Sequence, residues 1–335
     1  MMILSRAGQL KQKIIAIGKK LQDGHLVVAN SGNLSARLDK NNILITATGA
    51  SLGQLKPEAI IKINLRNEKD LRNNRLSTEF PVHRLIYESF KTNTIIHCHP
   101  PLVNGYFSVC SELKNLTFES QVYLGDLGVV LQETPSITKP ELVIEALKAN
   151  NLVVIKNHGV VSIGQNFKES FDLIETLEEA VKVASVARLF DKAVLDDLDI
   201  ALKQDLTQKT NVYKMFSREH IEAIVDLINK DEFISKKGQE LDLTLELAIS
   251  LNEDNKSYRF IFEKGKIKKL EFDHNAPFII SASEDIWELV FLGKLDPFVA
   301  VTQGKMKLNG QLGQLSRWYV PFKRLFELFK QVKTK

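Results

Sequence analysis

The stretch Thr94-Ile95-Ile96-His97-Cys98-His99-Pro100-Pro101 sets the reading of this chain. Its apolar start reads as a strand. Side chains on a strand alternate between two faces, so His97 and His99 project one way and Cys98 the other. Pro100 and Pro101 lack the N–H that a sheet ladder needs and end the strand there. Two imidazoles at a strand terminus can reach one cation, or they can be structural histidines satisfied by hydrogen bonds.

Downstream, a helix is expected from about Leu102, then a loop through Gly125 to Gly128 and a helix from Pro140 to Ala149. A strand Leu152 to Ile155 leads into Asn157-His158-Gly159, and a long helix runs from Asn166 to about Phe190. Upstream, Leu10, Ile14, Ile17 and Leu21 recur at helical spacing. Ser31-Gly32-Asn33 is a turn, the strand Ile43 to Thr46 runs into a second turn at Thr48-Gly49, and Ser77-Thr78-Glu79-Phe80-Pro81 reads as a helix start. On that helix His83 shares a face with Glu79, four residues on. His158 offers a third metal donor. Glu79 is a fourth ligand, a general base, or simply a carboxylate favoured by the helix dipole. The three small polar turns can converge N–H and hydroxyl groups on a phosphate, although each alone is an ordinary turn or cap.

Taken in order, Ser31-Gly32-Asn33-Leu34-Ser35, Ile45-Thr46-Ala47-Thr48-Gly49, Ser77-Thr78-Glu79, His97-Cys98-His99-Pro100 and Asn157-His158-Gly159 give a resemblance. Residues from about 9 to 190 resemble the class II aldolase/adducin family. The resemblance implies an α/β fold, a three-layer α/β/α arrangement around a mostly antiparallel central sheet, and a homotetramer with sites at subunit interfaces. It implies Zn2+, or another divalent metal, held by His97, His99 and His158. Glu79 matches the carboxylate that both ligates the metal and carries the catalytic proton. Asn33, Thr48, Gly49, Ser77 and Thr78 match the residues that bind the substrate phosphate.

The expected function is that of a zinc-dependent lyase, an aldolase acting on a phosphorylated ketose through a metal-stabilised enediolate. The alternatives are a sugar-phosphate dehydratase of the methylthioribulose-1-phosphate type and a non-enzymatic lipid-binding or scaffold protein. The family's epimerases carry aspartate where Glu79 stands, which favours the lyase readings. One departure is Gln132-Glu133-Thr134-Pro135-Ser136, which stands where the family's aldolases place a tyrosine.

Composition sets the frame. The chain has 335 residues, 44% hydrophobic and 26% charged, which suits a folded protein and excludes a disordered one. Its net charge of +4 is spread along the length and gives no case for a nucleic-acid partner. Two cysteines are too few for a disulfide framework and point to a reducing, cytoplasmic setting. Apolar runs fall short of the ~18 residues of a membrane span, so no stable membrane insertion is expected. The N-terminal stretch lacks the apolar core of a secretory leader and is expected to be a surface helix.

Two domains are expected, residues 1–207 and 208–335. In the second, Gly293-Lys294-Leu295-Asp296-Pro297 and Thr302-Gln303-Gly304-Lys305-Met306 resemble the sterol carrier protein 2 (SCP2) family. That resemblance implies a smaller α+β domain around an apolar tunnel for a lipid ligand. The alternative is that Phe260, Phe262, Phe278, Trp287, Phe291, Phe298 and Phe322 fill a closed core.

Overall fold

A computed structural model describes residues 5–131, 136–190, 212–254, 256–310 and 315–334. The chain divides into two compact units, Met1–Leu198 and Asp199–Lys335. The domain boundary expected at 207/208, and Gln132 to Pro135 of the departing segment, lie outside the described residues.

The first unit runs α1 (Arg6–Asp23), β1 (Asn33–Arg37), β2 (Asn42–Thr46), β3 (Ile60–Asn64), α2 (Glu68–Leu71), α3 (Phe80–Ser89) and β4 (Thr94–Cys98). It continues α4 (Pro101–Val109), α5 (Phe118–Tyr123), β5 (Gly128–Val130), α6 (Pro140–Ala149), β6 (Leu152–Ile155), β7 (Gly159–Gly164) and α7 (Phe167–Phe190). The strands form one sheet in the order β3-β2-β1-β4-β7-β6-β5. Every pairing is antiparallel except β5 with β6.

Strand alternation separates the two faces of this sheet. Ile96 and Cys98 join the core under α1, α4 and α7, with Ile14, Leu21, Phe107, Phe171 and Leu177. Ile95 joins the other core, with Phe80 and Ile86 of α3 and Val143 and Leu147 of α6. Helices thus cover both faces, and the unit is the three-layer α/β/α class with a mostly antiparallel sheet. Local chemistry sets the helix ends: Ser5 caps α1 by accepting from Gly8 N at 3.2 Å, and Pro81 falls in the first turn of α3, where its missing N–H costs nothing.

The second unit is smaller. It comprises α8 (Arg218–Lys230), α9 (Glu232–Glu240), β8 (Leu245–Leu251), β9 (Ser257–Glu263), β10 (Lys266–Glu271) and β11 (Phe278–Ala282). α10 (Glu284–Phe291), α11 (Pro297–Thr302), β12 (Lys307–Asn309) and α12 (Tyr319–Phe329) follow among the described residues. Its sheet order is β10-β9-β8-β11-β12, with β8 and β11 parallel. Phe216, Phe262, Trp287 and Phe329 are fully buried in its core. Among the described residues no helix is long and apolar enough to cross a membrane.

Candidate metal centre

β4 and the turn before β7 bring three histidines together. β4 pairs with β7 so that His97 lies opposite Val161 and Cys98 opposite Val160. His158 sits in the tight turn between β6 and β7, after Asn157 in the left-handed region at φ 61°. Asparagine tolerates that conformation better than most residues. His97 is 1% exposed and its Nδ1–H donates to the Val160 carbonyl at 2.9 Å. With Nδ1 engaged there, Nε2 is the nitrogen turned toward the other two rings.

His99 Nε2 is 3.0 Å and His158 Nε2 3.1 Å from His97 Nε2. One ligand atom from each ring lies within 4.8 Å of the others. Burial lowers the pKa of His99 to about 3, helped by His97 and His158 and opposed by Glu79. A neutral imidazole is the form that binds a cation, and three clustered imidazole nitrogens are a donor set that fits a divalent metal.

The backbone around these rings is held at several points. His99 N donates to the Leu26 carbonyl at 3.1 Å, and Asn104 Nδ2 donates to the His158 carbonyl at 3.1 Å. The Glu178 carboxylate of α7 accepts from Leu102 N and Val103 N, both at 3.1 Å, and so pins the start of α4 just beyond His99. Gly159 is required by space. A Cβ there would stand 2.3 Å from the Cys98 carbonyl oxygen and 2.7 Å from His99 Cδ2.

Glu79 occupies the N-cap position of α3 but makes no side-chain cap bond there. Its carboxylate turns to the histidines instead, with Oε1 2.9 Å from His158 Nε2 and Oε2 3.0 Å from His97 Nε2. Asn33 Nδ2 donates to Oε2 at 2.7 Å. Burial pushes this carboxyl up, yet His97 and the hydrogen bonds from His158, His97 and Asn33 outweigh it and hold the group well below the usual carboxylate range. It is a buried, ionised carboxylate set against a cluster of three imidazoles.

The three polar turns adjoin at one edge of the site. Asn33 Nδ2 lies 3.3 Å from Ser77 Oγ, and Ser77 Oγ accepts from Glu79 N at 3.3 Å. Thr48 N donates to the Arg75 carbonyl at 2.8 Å, and Ala47 bridges Leu76. Thr48, Gly49 and Thr78 are exposed, and the space beside Gly49 is open, with nothing within 4 Å of a Cβ placed there. Asn33 differs from these: it is buried and its amide is already engaged by Glu79, Ser77 and His83.

A row of buried polar groups behind Asn33 was not read from the sequence. His83 Nε2 is 2.5 Å from Asn33 Oδ1, His83 Nδ1 is 2.7 Å from Ser35 Oγ, and Ser35 Oγ is 2.9 Å from the Tyr87 hydroxyl. Spacing carried a faint signal: Ser35 is two residues from Asn33 on one strand face, and Tyr87 is four from His83 on one helix face. Cys98 is buried in the α1/α4/α7 core and its thiol is pushed up by desolvation, which leaves it unreactive.

In the second unit, an apolar cavity of about 20 Å³ is lined by Leu247, Ile280, Phe298, Phe322 and Phe326, among others. That is space for roughly one water molecule.

Comparison with known proteins gives two family matches. The Class II Aldolase and Adducin N-terminal domain matches residues 12–185, and the SCP-2 sterol transfer family matches residues 234–318. An L-fuculose phosphate aldolase of Methanocaldococcus jannaschii is 30% identical over 184 residues, covering 54% of this chain and 99% of that protein. A 3-oxo-tetronate 4-phosphate decarboxylase of Haemophilus influenzae is 29% identical over 185 residues, covering 52% of this chain and 85% of that one. Among solved structures, the L-fuculose-1-phosphate aldolase from Thermus thermophilus is 28% identical with a TM-score of 0.50, covering 54% of this chain and 95% of that one.

Proposed function

We propose that this chain, an enzyme that belongs to the class II aldolase and adducin family, is a zinc-dependent aldolase that cleaves a phosphorylated ketose. The observation that carries the reading is the ionised, buried Glu79 carboxylate, in contact with His97 and His158 beside the ring of His99. His97, His99 and His158 would hold the cation, with Glu79 as a further ligand. When bound, a divalent metal supplies positive charge that polarises a carbonyl and balances negative charge as it develops on oxygen. Glu79 carries the proton between carbon and oxygen, a task for a carboxylate fixed within hydrogen-bond reach. Exposed Thr48, Gly49 and Thr78, with Ser77, cradle the phosphate through backbone N–H groups and side-chain donors, while Asn33, buried behind them, holds Ser77 and Glu79 in place.

Loss of water from a methylthioribulose-like phosphate would use the same residues, since that reaction too develops negative charge on oxygen. The decarboxylase relative represents a third outcome on a similar chain. The assembly in this reading is a homotetramer in the cytoplasm, with sites at subunit interfaces. Apolar residues on the first unit support an interface: Val28 is 71% exposed, Phe118 64% and Leu131 69%. The second unit would take an apolar ligand, and because its cavity is so small, Phe298, Phe322 or Phe326 must move aside for one.

The test is a screen of ketose 1-phosphates with zinc-loaded protein, scored separately for dihydroxyacetone phosphate, loss of water and loss of carbon dioxide. Glu79→Gln is expected to lower turnover by about 10²- to 10⁴-fold while metal stays bound. Undiminished turnover in that variant, or wild-type protein without stoichiometric divalent metal, would sink the reading.

A further inference from the structure

We propose that His83 is a positioning residue: it fixes the orientation of the Asn33 amide and, through it, aims the Glu79 carboxylate, at the end of a one-way hydrogen-bond chain that starts at Tyr87. This rests on the reading of Glu79 as the proton carrier.

The direction of the chain follows from its contacts. Asn33 turns its NH2 to Glu79, with Nδ2 donating to Oε2 at 2.7 Å. The amide oxygen then faces His83 Nε2 at 2.5 Å, and that nitrogen must carry the proton. His83 Nδ1 is left as an acceptor, filled by the Ser35 hydroxyl at 2.7 Å. Ser35 Oγ, having spent its proton, accepts from the Tyr87 hydroxyl at 2.9 Å. Every donor points toward Glu79, and no member has an alternative that keeps the others satisfied.

The surroundings lock this arrangement. His83 is 1% exposed, and burial pushes its pKa down to about 3, so the ring stays neutral and holds one tautomer. Tyr87 is buried and its phenol is pushed up, which keeps it a donor. Arg37 lies over the Tyr87 ring at 4.6 Å and donates to the Tyr87 carbonyl at 2.8 Å, anchoring the far end. The near end is asymmetric. Glu79 Oε2 serves both His97 and Asn33, while Oε1 faces His158. The chain therefore ties down one carboxylate oxygen and leaves the other the freer to take a proton.

Without a donor at residue 83, the Asn33 amide oxygen loses its partner, and the NH2 that Asn33 presents to Glu79 Oε2 is no longer held at a fixed angle. The test compares His83→Met, which fills the space with no donor, and His83→Gln, whose amide can donate to Asn33 and accept from Ser35. Ser35→Ala removes the proton that sets the His83 tautomer. Each is measured for kcat and KM on the substrate found active, and for the visible absorption of the cobalt(II)-loaded protein, which reports geometry at the metal.

His83→Met is expected to lose about 10- to 100-fold in kcat with KM changed less than about twofold, and to alter the cobalt spectrum. His83→Gln is expected to recover most of that loss, and Ser35→Ala to lose about tenfold. Wild-type kcat and spectrum in His83→Met would overturn the proposal, as would His83→Gln falling as far as His83→Met. Should His83→Met fail to fold, Ser35→Ala decides, and unchanged kcat there overturns it. Wild-type protein that neither binds cobalt nor turns over a sugar phosphate overturns the underlying site reading, a result distinct from active wild type with unaffected variants.

Discussion

At residue 159 a single methyl group would reach both the β4 backbone and a histidine ring, at 2.3 and 2.7 Å. Gly159→Ala is therefore expected to cost about 1–3 kcal/mol of stability and to weaken cobalt binding at least tenfold, read by urea unfolding and metal titration. His83 makes a second residue-level prediction. Its unfolded counterpart protonates near 6.5, while the folded ring holds off to about 3. Between those values the unfolded chain carries the extra proton, so stability falls as pH drops through that window, by up to about 1.4 kcal/mol per pH unit. Denaturation of metal-free protein across pH 7 to 4 should show this slope, and His83→Gln should remove part of it. The histidine trio and Glu79 stood out in the sequence because His97 and His99 share a strand face and their motifs, with those of His158 and Glu79, fall in the order of a known family. Ser35, Tyr87, Asn104 and Glu178 did not. Their contacts cross 48 to 76 residues of chain, so a serine or tyrosine in an apolar run carries no mark of its partner.

Among the elements, α4 depends on a neighbour for its start. Pro100 and Pro101 offer no side-chain cap, and the Glu178 carboxylate of α7 fills that role through Leu102 N and Val103 N. Glu178→Ala should cost about 1–2 kcal/mol by urea unfolding, and by loosening the chain just after His99 it should also weaken metal binding. Glu178→Gln, which keeps one acceptor, should lose less. The clearest elements in the sequence were those with firm punctuation: α6 and β6 have the bounds that Pro140 and the Asn150-Asn151 pair suggest. β7 was missed because a strand buried on both faces, Gly159-Val160-Val161-Ser162-Ile163-Gly164, shows no polar alternation. β5 was missed because three residues are too few for a period to show.

For the whole molecule, the assembly prediction is direct: native mass spectrometry of the full chain should give a particle four times the mass of one chain, and a monomer would remove the proposed interface sites. The sheet order carries a further consequence. β1, β4 and β7, which supply Asn33, His97 and the strand paired with β4, are the three central strands, with two more strands on either side. Such strands belong to the last cooperative unit of a domain to open, and their amides exchange with solvent only when the whole unit unfolds. A metal bound there would be coupled to global unfolding of that unit instead of to the fraying of a loop. At a free metal concentration 100 times Kd it should add about 2.7 kcal/mol to the protection of the slowest amides in all three strands alike. Deuterium uptake would then register occupancy of the site from residues that never touch the ion.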